Sequence, residues 1–190
     1  MNWHTRYLQQ AAWTRDLRTY LFEKAGLADA HRVLEVGCGT GAVLREIKSP
    51  ASLHGLDLEP ASLAECRIHA SAASLTRADA HLLPYADKSF DIVYCHFLLL
   101  WVRNPLQVVR EMARVGRTVL ALAEPDYNQR VDEPAALKQL GKWQTEALVR
   151  QGANSSFGAR LAETFYQAGI QLIETGPIKS AEKKRSAEEW

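Results

Sequence analysis

Gly37, Gly39 and Gly41 stand at alternate positions after the apolar run Val33-Leu34-Glu35-Val36, and Ala42-Val43-Leu44 follows them. Glycine has no Cβ, so such a turn can bend tightly and let a ligand approach the backbone. A short strand ending in glycines, with a helix after it, is where an open parallel sheet binds nucleotide-like molecules. A second apolar run, Ser52 to Leu58, carries Asp57 about twenty residues beyond the first glycine, a distance that suits a carboxylate holding ribose hydroxyls. Glu59, just before Pro60, reads as a helix cap or a first-turn acid. Three explanations of the glycine turn stand side by side. It is a tight turn without a ligand, a dinucleotide site, or a site for another nucleoside. Gly37-x-Gly39-x-x-Ala42 satisfies the loose dinucleotide fingerprint, which therefore decides nothing alone.

Glu35-Val36-Gly37-Cys38-Gly39-Thr40-Gly41 resembles motif I of the class I S-adenosylmethionine-dependent methyltransferases of small-molecule type, whose pattern is acidic-x-Gly-x-Gly-x-Gly. The resemblance implies that Gly37, Cys38 and Gly39 line the cofactor and that Glu35 orders the loop or its ligands. A pyrophosphate would favour a helix N-terminus. S-Adenosylmethionine carries no phosphate, and a carboxylate such as Glu35 is less out of place beside its sulfonium and zwitterionic end. Ala78-Asp79-Ala80-His81-Leu82-Leu83-Pro84-Tyr85, then Ser89-Phe90-Asp91-Ile92-Val93, resembles the family's adenine-binding turn and fourth strand. By that resemblance Asp79 accepts from the adenine amino group and the Ala80 backbone holds the ring. Leu58, next to Asp57, is a further cofactor-binding candidate, and His96 lies beside the cofactor. The likeness runs from Val33 to Asp126 and less specifically through Gly176. Tyr20 and Lys24 have the spacing of a reductase pair but precede the first strand, which speaks against the oxidoreductase alternative.

Methyl transfer from a sulfonium needs alignment and exclusion of water more than a strong catalyst. A base is required only where the acceptor must lose a proton. His96 is the first candidate, because imidazole titrates near neutrality; shaping the cofactor pocket is its other role. Glu124, Asp126 and Tyr127 follow the fifth strand, where an acceptor would approach, and Trp101, Tyr127 and Trp143 are candidate pocket walls. Tyr7, Trp13 and Arg15 are candidates for a lid. The Asn-Pro-Pro-Tyr or Asp-Pro-Pro-Tyr signature of base- or glutamine-directed relatives is missing where Tyr94-Cys95-His96-Phe97 stands, so a small-molecule acceptor is expected. A non-catalytic binding protein on the same fold is the remaining alternative.

The elements that must position these residues alternate apolar runs with helical patterns, the signature of an α/β doubly wound, mostly parallel sheet with helices on both faces. An N-terminal helical cover is expected over residues 1–30, with a helix from Trp13 to Lys24, then a cofactor-binding core over 31–178 and a charged tail over 179–190. Strands are expected at Val33–Val36, Ser52–Leu58, around Leu75–Arg77, at Phe90–Cys95, Thr118–Ala123 and Ile170–Thr175. Asn104 caps a helix that begins at Pro105, stops at Gly116 and has an apolar face of Leu106, Val109, Met112 and Ala113. Pro134 opens another helix that stops at Gly152, and Ser155 or Ser156 caps the next. The family's seventh strand has no counterpart in the tail, so a truncation or an atypical C-terminal edge is expected.

With 23 basic against 22 acidic residues in 190, the net charge of +1 gives no global field for nucleic acid, and Lys183-Lys184-Arg185 reads as solvated tail. Cys38, Cys66 and Cys95 show no metal-ligand spacing, so free thiols and no metal site are expected. The N-terminus lacks the unbroken apolar stretch of a secretory signal, and no run approaches the ~20 residues of a membrane span. A soluble, cytoplasmic protein is expected.

Overall fold

The structure, a computed structural model, describes residues 3–176; the expected charged tail lies outside them. Two helices, α1 (Trp3–Trp13) and α2 (Arg15–Lys24), precede the sheet. They correct the single helix expected from Trp13, because the chain breaks at Thr14, whose hydroxyl and carbonyl are both drawn into local bonds. The strands are β1 (Arg32–Val36), β2 (Ser52–Asp57), β3 (Ser74–Arg77), β4 (Phe90–His96) and β5 (Gly116–Leu122). The helices α3 (Pro60–His69), α4 (Pro105–Val115), α5 (Lys138–Arg150) and α6 (Leu161–Gln167) complete the described elements.

The sheet order is β3-β2-β1-β4-β5 and every pairing is parallel. The chain runs outward one way through β1, β2 and β3, then returns to the other side of β1 for β4 and β5. The reversal falls between β1 and β4, where open α/β sheets form their ligand crevice. Period-two alternation divides the core. Leu34, Val36, Val93 and Cys95 join Val108, Val109, Met112 and Val115 of α4 on one face. Val33, Ile92 and Tyr94 meet Ala11 of α1 and Phe22 of α2 on the other. The Phe22 and Tyr94 rings meet edge to face at 5.0 Å. Helices therefore cover both faces, with the N-terminal pair on the face toward which Glu35 also points by register.

Asn104 caps α4 as expected, its side-chain oxygen accepting from Gln107 N at 3.1 Å. The buried face of α4 is Val108, Val109, Met112 and Val115, however; Leu106 and Ala113 are only half-buried. Two further expectations are corrected. No α-helix follows the glycine loop, only a 3-10 turn at Leu44–Glu46, since Pro50 and the return to β2 at Ser52 leave no room for more. Residues 170–176 form no strand. Gln171 to Gly176 are exposed, and backbone groups settle into a strand only against a partner. Its anchor is a side chain instead: Tyr20 Oη donates to Glu174 at 3.1 Å, and Lys24 pairs with the same carboxylate. No described helix is long and apolar enough to cross a membrane.

Candidate functional site

The glycine loop leaves β1 at the reversal point and is held almost entirely by backbone. Gly37 N and Cys38 N both donate to Leu56 O of β2, at 2.7 and 3.0 Å. Gly37 has φ +74°, a conformation that favours glycine, and a Cβ there would fall 2.7 Å from Leu98 Cδ1, so the Leu98 side chain would have to shift. Asp57, the last residue of β2, ties two loops together: Oδ2 accepts from Gly39 N at 2.8 Å and Oδ1 from Glu59 N at 2.9 Å. A carboxylate has about four acceptor positions, so Asp57 keeps capacity for a ligand. Glu59 caps α3, accepting from Ala61 N at 3.3 Å, one of the two roles expected of it.

Asp79 follows β3. Its Oδ1 accepts from His81 N at 2.9 Å and from His81 Nδ1 at 2.6 Å. These bonds hold its carboxyl below the usual carboxylate range. His81 Nε2 accepts from Asn104 N at 3.2 Å, which fixes the proton on Nδ1 and links the β3 turn to the start of α4. The resulting cleft of about 640 Å³ is lined by Gly37, Leu56, Asp57, Leu58, Asp79, Ala80, Leu98 and Trp101, among others. Six of the residues singled out from the sequence thus share one wall. His81, Leu98, Arg103, Asn104 and Gln107 line it too and were not singled out as site residues, although Asn104 was expected as a helix cap. Asp79-x-His81 is a local Asx-turn pattern that could have flagged His81; the others arrive only through packing.

Other expected residues lie elsewhere. Glu35 is buried and receives the Tyr94 hydroxyl at 3.0 Å. Burial pushes its carboxyl well above the usual range, against the pull of Tyr94 and of the Arg18 charge. Cys38 is buried, and its thiol is raised first by Cys66 and then by burial, which leaves little thiolate. His96 spends Nε2 on Thr14 Oγ1 at 2.9 Å, and Arg18 Nη1 donates to that same hydroxyl at 2.6 Å. Burial, then the Arg18 charge, holds the imidazole down at about 3, so His96 is uncharged at neutral pH and is a weak base. It is not among the cleft-lining residues.

Of the lid candidates, Tyr7 covers the loop: its ring carbon Cε2 would be 3.5 Å from a Cβ on Gly39. Trp13 is exposed beneath the Arg6 guanidinium, and Arg15 reaches Glu46 at 3.4 Å. After β5, Glu124 is buried and accepts from Leu98 N, Leu99 N and Leu100 N at 2.9, 3.0 and 3.2 Å. Asp126 accepts from Asn128 N at 3.0 Å, Tyr127 packs half-buried against the core, and Trp143 is exposed on α5. None of these four lines the cleft.

A family model described as a methyltransferase domain matches residues 34–118, the stretch that holds the loop, Asp57, Asp79 and β4. Over that stretch the chain is similar to the class I methyltransferases. Malonyl-(acyl-carrier protein) O-methyltransferase of Halorhodospira halophila is 35% identical over 119 residues, which are 58% of this chain and 40% of that protein. Demethylmenaquinone methyltransferase of Shouchella clausii is 34% identical over 118 residues, 57% of this chain and 48% of that protein. The chain therefore spans half or less of the length of these two relatives. A solved SAM-dependent methyltransferase from Thermotoga maritima superposes with TM-score 0.63 at 19% identity, covering 90% of this chain and 78% of that one; at that identity the likeness speaks for the fold. This methyltransferase family uses S-adenosylmethionine as its methyl donor.

Proposed function

We propose that this chain binds S-adenosylmethionine in the cleft at the carboxyl ends of β1, β2 and β3 and transfers its methyl group to a small-molecule acceptor. The observation that carries the proposal is Asp57, which braces the glycine loop through Gly39 N and still faces the cleft with unused acceptor capacity. The cleft volume falls within the roughly 300–1,000 Å³ usual for small-ligand sites. Bound there, S-adenosylmethionine supplies a methyl group on a sulfonium, which leaves as a neutral thioether.

The residues of the chain then have distinct tasks. Asp57 accepts from the ribose hydroxyls, and the side chain of Leu58 covers the sugar edge. Asp79 accepts from the adenine amino group beside the Ala80 backbone, with His81 fixing the carboxylate. Gly37, Cys38 and Gly39 bring their backbone to the methionine end, and Glu35 supports that loop from behind through Tyr94 and β1. Tyr7 closes over Gly39, and Leu98 and Trp101 keep water from the reacting atoms. His96 shapes the layer beneath α1 and α2 and does not take a proton from the acceptor. At the acceptor end we place Trp101, which lines the cleft; Asp126 and Tyr127, also expected there, lie outside its lining. Two named relatives act on different acceptors, so the shared cleft accounts for the donor and not for the choice of acceptor.

The test is calorimetric titration of the purified chain with S-adenosylmethionine and S-adenosylhomocysteine, with NAD and NADP as controls. Binding of the two adenosyl compounds alone is expected. Asp57→Ala should weaken both at least a hundredfold, about 2.7 kcal/mol, as fits the loss of charged hydrogen bonds at ~1.5–3 kcal/mol each. A folded chain that binds NAD or neither adenosyl compound overturns the proposal.

A further inference from the structure

The imidazoles of His4, at the start of α1, and His69, at the end of α3, stack with centroids 3.4 Å apart and planes 6° from parallel. Glu65 stands one helical turn before His69, on the same side of α3. One ligand-capable atom from each of the three lies within 4.8 Å of the others. His4 is buried, and Glu65 and His69 are half-buried.

The neighbours of His4 fix its tautomer. Arg45 Nη1 approaches His4 Nε2 at 3.4 Å. A guanidinium only donates, so Nε2 presents its lone pair. The other nitrogen, Nδ1, lies 2.8 Å from Thr40 Oγ1; in the neutral ring it carries the proton and donates it to the hydroxyl. A histidine aimed through one N–H, with the lone pair of its second nitrogen turned to a cation, has the orientation of a metal ligand. Arg45 is exposed and occupies the cation's side of the ring, from which it can swing into solvent.

We propose that His4, Glu65 and His69 form a binding site for a divalent transition-metal ion of the zinc class, which fastens α1 to α3 beside the glycine loop. Two imidazoles and a carboxylate suit zinc, cobalt or nickel better than magnesium or calcium. A tetrahedral ion with bonds of ~2.0–2.2 Å sets its donors roughly 3.4 Å apart, and water takes the fourth position. From separations of up to 4.8 Å the donors must therefore close by up to about 1.4 Å, and the stacked rings must fan so that their lone pairs converge. His69 is the terminal residue of α3 and Glu65 is half-buried, so both have room to move. Thr40 belongs to the glycine loop, so the ion would join the N-terminal cover to the loop through His4.

The experiment is titration of the reduced, chelator-treated chain with cobalt(II), followed by zinc competition. One equivalent is expected, with tetrahedral cobalt bands and no thiolate charge-transfer band. Glu65→Gln should weaken binding at least tenfold and His69→Ala more, whereas Arg45→Gln should tighten it by removing a competing cation. Saturating zinc should raise the melting temperature of the wild type and leave His69→Ala unmoved. A folded chain that takes up no ion, unchanged affinity in His69→Ala, or a thiolate band pointing to the cysteines overturns the site.

Discussion

Asp57 and Glu124 perform the same structural act on opposite sides of the sheet. Each stands at or just beyond the end of one strand and grips backbone N–H groups in the loop after the neighbouring strand. Asp57, ending β2, holds Gly39 beyond β1; Glu124, beyond β5, holds Leu98, Leu99 and Leu100 beyond β4. The surroundings differ. Asp57 is half-buried, lines the cleft and spends two bonds on backbone. Glu124 is buried, takes three backbone bonds and also receives the Cys95 thiol at 3.8 Å. The loop it holds contains Phe97 at φ +53°, and Ala123 just before it has φ +62°, conformations that non-glycine residues keep only under strong restraint. One carboxylate is thus a clasp with capacity left for a ligand, and the other is a clasp alone. What separates them is solvent access.

The contrast predicts different responses to perturbation. The largest concerns charge at Glu124. Burial pushes its carboxyl from 4.5 up to about 7, against the pull of its backbone bonds. The native state therefore holds a proton that the unfolded chain has already released between these values. The stability this contributes is fully present below pH ~4.5 and is lost as pH rises through 7, by roughly 3 kcal/mol. Urea unfolding at pH 5 and pH 8 should show Glu124→Gln gaining on the wild type at the higher pH. A difference independent of pH would erase the distinction drawn between the two clasps.

Next in size is Gly158→Ala. A Cβ at Gly158 would meet Glu124 O at 2.5 Å and Pro125 C at 2.7 Å, backbone atoms that cannot swing away. We expect a loss of about 1–3 kcal/mol in chemical denaturation, with binding at the Asp57 cleft less affected than stability. Equal damage to both would show that the two sides are not separable. The smallest effect belongs to Asn104→Ala, which removes the α4 cap at the cleft edge. It should cost about 1 kcal/mol of stability while the adenosyl affinity falls only a few-fold, read by thermal melts and calorimetry.

The cleft was more legible in the sequence than the region after β5, for a physical reason visible in single residues. Gly37, Gly39, Asp57 and Asp79 act through backbone geometry at strand ends, and strand ends are marked locally by where an apolar run stops. Glu124 carries no such mark, since its three donors lie 24 to 26 residues earlier and meet it only because β4 and β5 are paired. His96 looked like a base because free imidazole titrates near neutrality. Burial and the Arg18 charge, supplied by a helix that precedes the sheet, take that property away. The apolar residues at Ile170–Thr175 suggested a strand, but the described β5 pairs only with β4. Composition does not record whether a partner edge is present.

By itself, the sequence determined the parallel α/β plan, the glycine loop and the acids that follow β2 and β3, because alternation, glycine conformation and strand termination are local properties of the chain. The tertiary structure decided which carboxylate faces solvent, which histidine is uncharged, and that His4 meets Glu65 and His69 across more than sixty residues. Those outcomes depend on burial and on charges brought together through space, and residue spacing encodes neither.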